Sequence, residues 1–372
     1  MHPPRFASWP ASSSDAVHTS RPIHQFLPSL APRDAIGSHT LAIQGALRNA
    51  GITSEIFAGE IHRDLRTAAR SYKEWKSGSD AILMYHAAIG CSLGDWIAQR
   101  EETLVLDYHN ITPGKYFETW APETGLLLAQ GRSQLARLAP AAALGIADSQ
   151  FNATELVDLG CSRTAIVPIF IDPSQWGSVD GAARDHLRST KRGTDWLFVG
   201  RVAANKAHHD LLCCFAMYCQ VFDPHARLWL VGGVSSGEYW HALHRLADRL
   251  GISESVMFAG SVTQGELGAY FDVADVFVCV SDHEGFCVPL VEAMWWDLPV
   301  VAFGSTAIPD TVRDAGVVLR DKQPAVVAAA VDRVLTDAAL RDELIAAGRR
   351  RVQDFAPART AKKLLSVLAT VE

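Results

Sequence analysis

An alternating α/β fold with two parallel-sheet domains is the architecture this sequence predicts, and three observations predict it. Short runs rich in β-branched and aromatic residues alternate with longer helix-like segments along the chain, as in strands joined by crossover helices. The 372 residues are too many for one average core and suit two. Between two such series lies the stretch 172–194, rich in Gly, Ser and charge and without a sustained period, which reads as an interdomain linker.

Taken in order, the opening segment MHPPRFASWPASSSDAVH has no continuous apolar stretch, so it is not an ordinary secretory signal and reads as a flexible tail over 1–18. Strands are expected at 23–27, 54–58, 81–85, 103–108, 144–147 and 164–168 in the first half. In the second half they are expected at 196–199, 227–231, 255–259, 276–280, 300–303 and 317–319. This gives a first domain over 19–177, a second over 178–354, and a last helix over 355–372 that begins after Phe355-Ala356-Pro357. Open α/β sheets bind ligands beyond the carboxyl ends of their strands, so the chemistry is sought there.

Composition excludes several functions. A net charge of -7 and a pI near 6.0 argue against a global nucleic-acid footprint. The seven cysteines are odd in number and lack paired metal-ligand spacing, so they read as buried hydrophobes in a reducing, cytoplasmic setting. No apolar run reaches the roughly eighteen residues of a membrane span. The segment 61–76 carries Arg63, Arg66, Arg70 and Lys73 at helical spacing beside Leu65, Tyr72 and Trp75. It reads as a basic amphipathic helix, either an ordinary solvated face or a peripheral contact with an anionic inner membrane surface.

The buried-strand pattern from Asp275 to Val280 runs into Ser281-Asp282-His283-Glu284-Gly285. Pro289 then suits the first position of a new helix. With Gly285 permitting close backbone approach, that helix start is a candidate anion site. Glu284 precedes the helix and Glu292 falls in its first turn. Two glutamates eight apart would alone read as a surface loop and a helix-cap interaction. Their context changes this: the expected strand 196–199 ends in Gly200-Arg201, with Lys206 shortly after, and two cations beyond a strand end can neutralise a diphosphate. Neither G-x-G-x-x-G nor a Walker-type loop is present.

Together these residues resemble the retaining GT-B glycosyltransferases of family 4, the glycosyl transferases group 1, whose most specific element is E-x7-E, here Glu284 to Glu292. The match runs through Phe198-Val199-Gly200-Arg201 with Lys206, Leu230-Val231-Gly232-Gly233, Val256 to Gly260, Ser281 to Met294 and Pro299 to Ala302. The resemblance implies two Rossmann-like domains facing across a cleft, with the last helix crossing back to the first. The first half is similar more loosely, through Gly37 and Ser38 in an acceptor loop, Asp107-Tyr108-His109-Asn110 and Ser149 to Asn152.

By that resemblance Arg201 and Lys206 bind the donor diphosphate, Glu284 the transferred sugar and Glu292 the ribose. Gly260, Ser261 and Val262 pass near the base. Gly200, Gly285, Phe286, Cys287, Val288 and Leu290 complete the donor site, and His109 faces the donor sugar. Cys287 departs from the glycine usual there, Asp310 from glutamate, Trp295-Trp296 from smaller residues, and the acceptor-loop glycines are reduced to Gly37. The implied reaction moves a hexosyl unit from a nucleoside diphosphate sugar to a hydroxyl acceptor in polysaccharide, glycolipid or glycoconjugate synthesis. It needs no cofactor and no metal, because Arg201, Lys206 and the helix start at Val288–Leu290 can stabilise the leaving diphosphate. A sugar-nucleotide epimerase, a phosphorylase or a non-catalytic sugar-nucleotide-binding subunit would share the architecture. Nucleotide, sugar, acceptor and oligomeric state are not written in these motifs.

Overall fold

The computed structural model describes residues 21–371 apart from 33, 77–79, 172, 174 and 175. The expected tail over 1–18 and part of the expected linker lie outside the described residues.

The chain forms two compact units. The first contains the described residues up to Lys115, then Pro122–Ile171 and the segment from Phe355 onward. Its strands are β1 (Ile23–Leu30), β2 (Ile56–Ile61), β3 (Arg70–Ser71), β4 (Ile82–Ala87), β5 (Thr103–Tyr108), β6 (Leu144–Ala147) and β7 (Thr164–Ile166). They form one parallel sheet in the order β3-β2-β1-β4-β5-β6-β7. The helices α1 (Ala35–Asn49), α2 (Ser92–Ile97), α3 (Pro122–Leu138) and α4 (Gln150–Asp158) cross over between strands. Two of these helices, α1 and α4, start at side-chain caps: Asp34 accepts from Gly37 N at 2.9 Å and Ser149 Oγ from Asn152 N at 3.2 Å.

The second unit contains Asp172–Asp354 and takes in Tyr116–Ala121. Its helices are α5 (Gly181–Ser189), α6 (His208–Val221), α7 (Gly237–Leu250), α8 (Gln264–Val273), α9 (Val288–Trp295), α10 (Ile308–Val312), α11 (Pro324–Thr336) and α12 (Ala338–Gln353). Its strands are β8 (Asp195–Val199), β9 (Arg227–Val231), β10 (Val256–Gly260), β11 (Val276–Cys279), β12 (Val300–Phe303) and β13 (Val317–Leu319). They pair in parallel in the order β10-β9-β8-β11-β12-β13. The strand β11 is buried at every residue, as expected of a sheet covered on both faces. At the amino ends of β8 and β9, Arg227 Nε and Nη2 donate to the two carboxylate oxygens of Asp195, each at 2.7 Å. This bidentate pair marks the register in which Asp195 faces Arg227.

The last helix, α13 (Pro357–Leu368), belongs to the first unit. Leu364 and Leu368, both fully buried, share a core cluster with Ile23, Ile43, Leu47, Ile82 and Val105. Its apolar positions would otherwise be exposed, so burial against α1 and the sheet is what holds it there.

Three expectations need correction. The stretch 172–194 is not a bare linker: Asp180 accepts from Ala183 N at 2.9 Å and starts α5, whose Leu187 packs on Ala269 and Val273 of α8. One buried leucine is enough to dock so short a helix, and the polar composition conceals it. The unit boundary consequently falls before residue 172, not at 177.

The segment 61–76 is not a basic helix. It forms a short helical turn at Arg63–Leu65, then β3, then a second turn at Tyr72–Glu74 capped by Ser71. Pairing of β3 with β2 draws the chain onto the sheet edge. Buried Tyr72 and the 3.0 Å bond from Trp75 Nε1 to Glu102 hold it there. Arg70 is ion-paired with Glu55 and Glu74, so the face on which a membrane contact rested does not form. Among the described residues no helix is long and apolar enough to cross a membrane.

Gly37 and Ser38 lie in the first turn of α1, not in a loop, because Asp34 caps the helix directly before them. A Cβ at Gly37 would meet Ala31 O at 3.2 Å, which is the close approach that glycine permits.

Candidate functional site

In the second unit the strand order reverses between β8 and β11, and the candidate donor residues collect at the carboxyl ends of these two strands. Beyond β8 come Gly200 and the exposed Arg201. Gly232, at the same level after β9, has no room for a side chain, since its Cβ would stand 2.1 Å from Gly200 O. The two glycine turns therefore pack backbone on backbone beneath Arg201.

Lys206 ends a helical turn at Ala204–Lys206, and Ala207 then takes a left-handed conformation with φ of 50° before α6. Asn205 fastens this turn to the β11 loop: its carbonyl accepts from Asp282 N at 2.9 Å and its Nδ2 donates to His283 O at 3.2 Å. Lys206 Nζ is thereby brought to 2.6 Å from Glu284 Oε2. The carboxylate is 5% exposed and the lysine side chain 22%. Burial opposes the lysine charge, yet Glu284 overcomes this and raises the lysine pKa. Glu284 Oε1 is buried without a hydrogen-bond partner among the described residues, so it has acceptor capacity to spare. The Glu284 backbone is fixed by Thr306, whose Oγ1 accepts from Glu284 N at 2.9 Å and donates to Glu284 O at 2.8 Å. Lys322 pairs with Asp282 and, at 2.5 Å, with Asp210, tying the start of α6 to the same loop.

The helix α9 begins at Val288 with Pro289 second, so Glu292 is its fifth residue, one position further in than the sequence pattern places it. Cys287 precedes it with φ of 70°, a left-handed conformation that normally selects glycine. Leu290 is fully buried and its N–H donates to Cys287 O at 3.1 Å, while Pro289 has no N–H. An anion at this helix start would therefore meet the backbone of Gly285 to Val288, not of Val288 to Leu290. Phe286 and Leu290 serve the core through their side chains. Glu292 is 8% exposed, and burial alone raises its pKa to about 7. Gly260, with φ of 67°, turns the chain at the end of β10 so that Ser261 is exposed and Val262 half-buried.

In the first unit His109 follows β5 with its side chain only 2% exposed. Its Nδ1 lies 3.0 Å from Asp148 Oδ2 and its Nε2 lies 3.0 Å from His86 Nδ1. Burial would lower its pKa, but the carboxylates of Asp107 and Asp148 push it up to about 9. His39, His86, Asp107 and Asp148 close around it. Sequence reasoning singled out His109 alone, because its partners come from α1, β4, β5 and the start of α4, far apart in the chain.

Residues 182–351 match the model of the family described as Glycosyl transferases group 1. A D-inositol 3-phosphate glycosyltransferase of Salinispora arenicola is 32% identical over 228 residues, 59% of this chain and 50% of that protein. A protein of the same description from Thermomonospora curvata is 26% identical over 330 residues, covering 83% and 76% of the two chains. The chain thus spans about half the length of the first curated relatives it matches. Among solved structures, a sucrose-phosphate synthase from Thermosynechococcus elongatus superposes with a TM-score of 0.73 at 19% identity, over 94% of this chain and 98% of that one. The Anabaena HepE protein in complex with UDP and glucose gives 0.70 at 19% identity, over 93% and 99%. The fold is GT-B, and its second unit is similar over residues 182–351 to the glycosyl transferases group 1.

Proposed function

We propose that this protein is a glycosyltransferase that moves a hexosyl unit from a nucleoside diphosphate sugar to a hydroxyl acceptor with retention of anomeric configuration. The observation that carries the reading is the ion pair of half-buried Lys206 with buried Glu284 at the β8/β11 switch point, directly before the start of α9. Glu284 has an oxygen free for the sugar hydroxyls, Lys206 and Arg201 meet the diphosphate, and Glu292 accepts from the ribose diol. Charge developing on the departing diphosphate is met by these cations and by backbone N–H groups around Cys287, so no divalent ion is needed at the phosphates.

The D-inositol 3-phosphate glycosyltransferases and the UDP-bearing Anabaena structure make UDP-glucose and phosphorylated polyol acceptors the first probes. We place the enzyme in a reducing compartment, where the free cysteines persist as thiols. The test is a donor panel read by nucleoside diphosphate release, followed by mass and NMR analysis of products. Release that depends on acceptor, with a retained anomeric centre, is the expected result. Release of diphosphate with no product larger than the free sugar would overturn it.

A further inference from the structure

The cluster around His109 has the donors, spacing and charge of a metal site. We propose that His86 Nδ1, Asp107 Oδ2 and His109 Nε2 bind one first-row divalent transition-metal ion in the first unit, with Zn2+ as its probe.

The three atoms are separated by 3.0 Å (His86 to His109), 3.2 Å (His86 to Asp107) and 3.6 Å (His109 to Asp107). A tetrahedral zinc with ligands at about 2.0–2.1 Å sets neighbouring ligand atoms about 3.3 Å apart. Each imidazole is already turned for this role by a bond at its other nitrogen. His86 Nε2–H donates to Gln25 Oε1 at 3.0 Å and His109 Nδ1–H to Asp148 Oδ2 at 3.0 Å, the outer-shell pattern that orients metal-bound histidines. His39 is not a ligand. Phe170 N–H donates to its Nδ1 at 2.8 Å, so its Nε2 carries the proton and donates to Asp107 Oδ2 at 3.0 Å. It orients the carboxylate and leaves the fourth metal position to water.

Charge points the same way. Asp107 and Asp148 are both buried, and among the described residues neither is paired with lysine or arginine. Among the described residues their Oδ1 atoms have no hydrogen-bond partner. Two carboxylates are thus buried side by side, and a divalent ion held between them and the imidazoles would offset the desolvation penalty they otherwise carry. The ligands come from neighbouring strands, His86 facing Asp107 across β4 and β5, so the ion would pin the carboxyl ends of these strands. All of them lie in the first unit, so metal binding here does not depend on the proposed transfer.

The full chain, stripped with chelator and titrated with Zn2+ against a competing indicator, is expected to bind one equivalent and to melt higher when loaded. The Co2+ form should show tetrahedral ligand-field bands without thiolate charge transfer. Asp148→Asn should weaken binding about 10- to 100-fold, and His109→Gln should abolish it with the circular dichroism spectrum kept. Cys279→Ser should leave the stoichiometry at one, which separates this cluster from Cys279, Glu284 and Cys287, the other described group with ligand atoms close together. The proposal falls if the wild type binds no zinc at micromolar concentration, if its melting temperature ignores zinc, or if His109→Gln retains the full equivalent.

Discussion

Glu292→Gln should make the protein more stable at alkaline pH and leave it unchanged at acid pH. The Glu292 carboxyl is buried and among the described residues has no charged partner, so burial raises its pKa from 4.5 to about 7. A carboxyl whose folded pKa lies above its unfolded value stabilises the fold in full below the unfolded value. That contribution is lost as pH rises through the folded one. Keeping the charge buried well above pH 7 therefore costs about 3 kcal/mol. Glutamine keeps the shape without the charge. The stability difference between variant and wild type should be near zero at about pH 4.5, grow between there and about pH 7, and level off at about 3 kcal/mol. In a unit of this size that is roughly 6–12 °C in melting temperature. Urea unfolding across this range, followed by tryptophan fluorescence, measures it. A difference that is flat with pH, or a variant less stable at about pH 8.5, would mean that the carboxylate has a favourable partner and would refute the reasoning. Ribose hydroxyls donate to the ionised form, so nucleoside diphosphate affinity should also fall as pH drops below about 7.

Lys206→Met strands the buried Glu284 carboxylate and should cost about 3–5 kcal/mol in unfolding free energy. Adding Glu284→Gln should recover part of that loss, measured as the coupling in a double-mutant cycle. Gly232→Ala drives a Cβ to 2.1 Å from Gly200 O and should destabilise the second unit by about 3 kcal/mol or prevent its folding. Gly45→Ala, in the exposed middle of α1 with nothing within 4 Å, should instead gain up to about 1 kcal/mol. Thermal melts of the two glycine variants side by side check the pair. Thr306→Val removes the two side-chain bonds to the Glu284 backbone and leaves the 3.4 Å bond from Ala307 N to Glu284 O, and should raise the donor KM while changing global stability by only about 1–2 kcal/mol.

The sheets were legible because parallel strands buried on both faces print continuous apolar runs. Those at 103–108, 144–147, 227–231, 300–303 and 317–319 are read with the bounds they have in the fold. The short edge strand Arg70–Ser71 is not, since two polar residues carry no period. The basic spacing over 61–76 imitates a helix, but a single spacing pattern says nothing of the edge pairing with β2 that wins. In the second unit Glu284, Lys206 and Arg201 could be read because each sits beside a glycine turn or strand end. What the sequence withholds is their pairing, since the 2.6 Å contact depends on Asn205 fastening two loops that lie 78 residues apart. The histidine cluster is hidden for the same reason: only Asp107 and His109 are neighbours in sequence, and His39, His86 and Asp148 arrive through the sheet order.

The most direct measurement is the rate of nucleoside diphosphate release, with the best donor of the panel and its acceptor, for wild type and Glu284→Gln. The variant keeps the size of the side chain and removes the charge facing Lys206 and the sugar hydroxyls. A fall in kcat of about 100-fold or more with an unchanged circular dichroism spectrum is the predicted result. A folded variant that releases diphosphate within about threefold of the wild-type rate would contradict the placement of the active site at the end of β11.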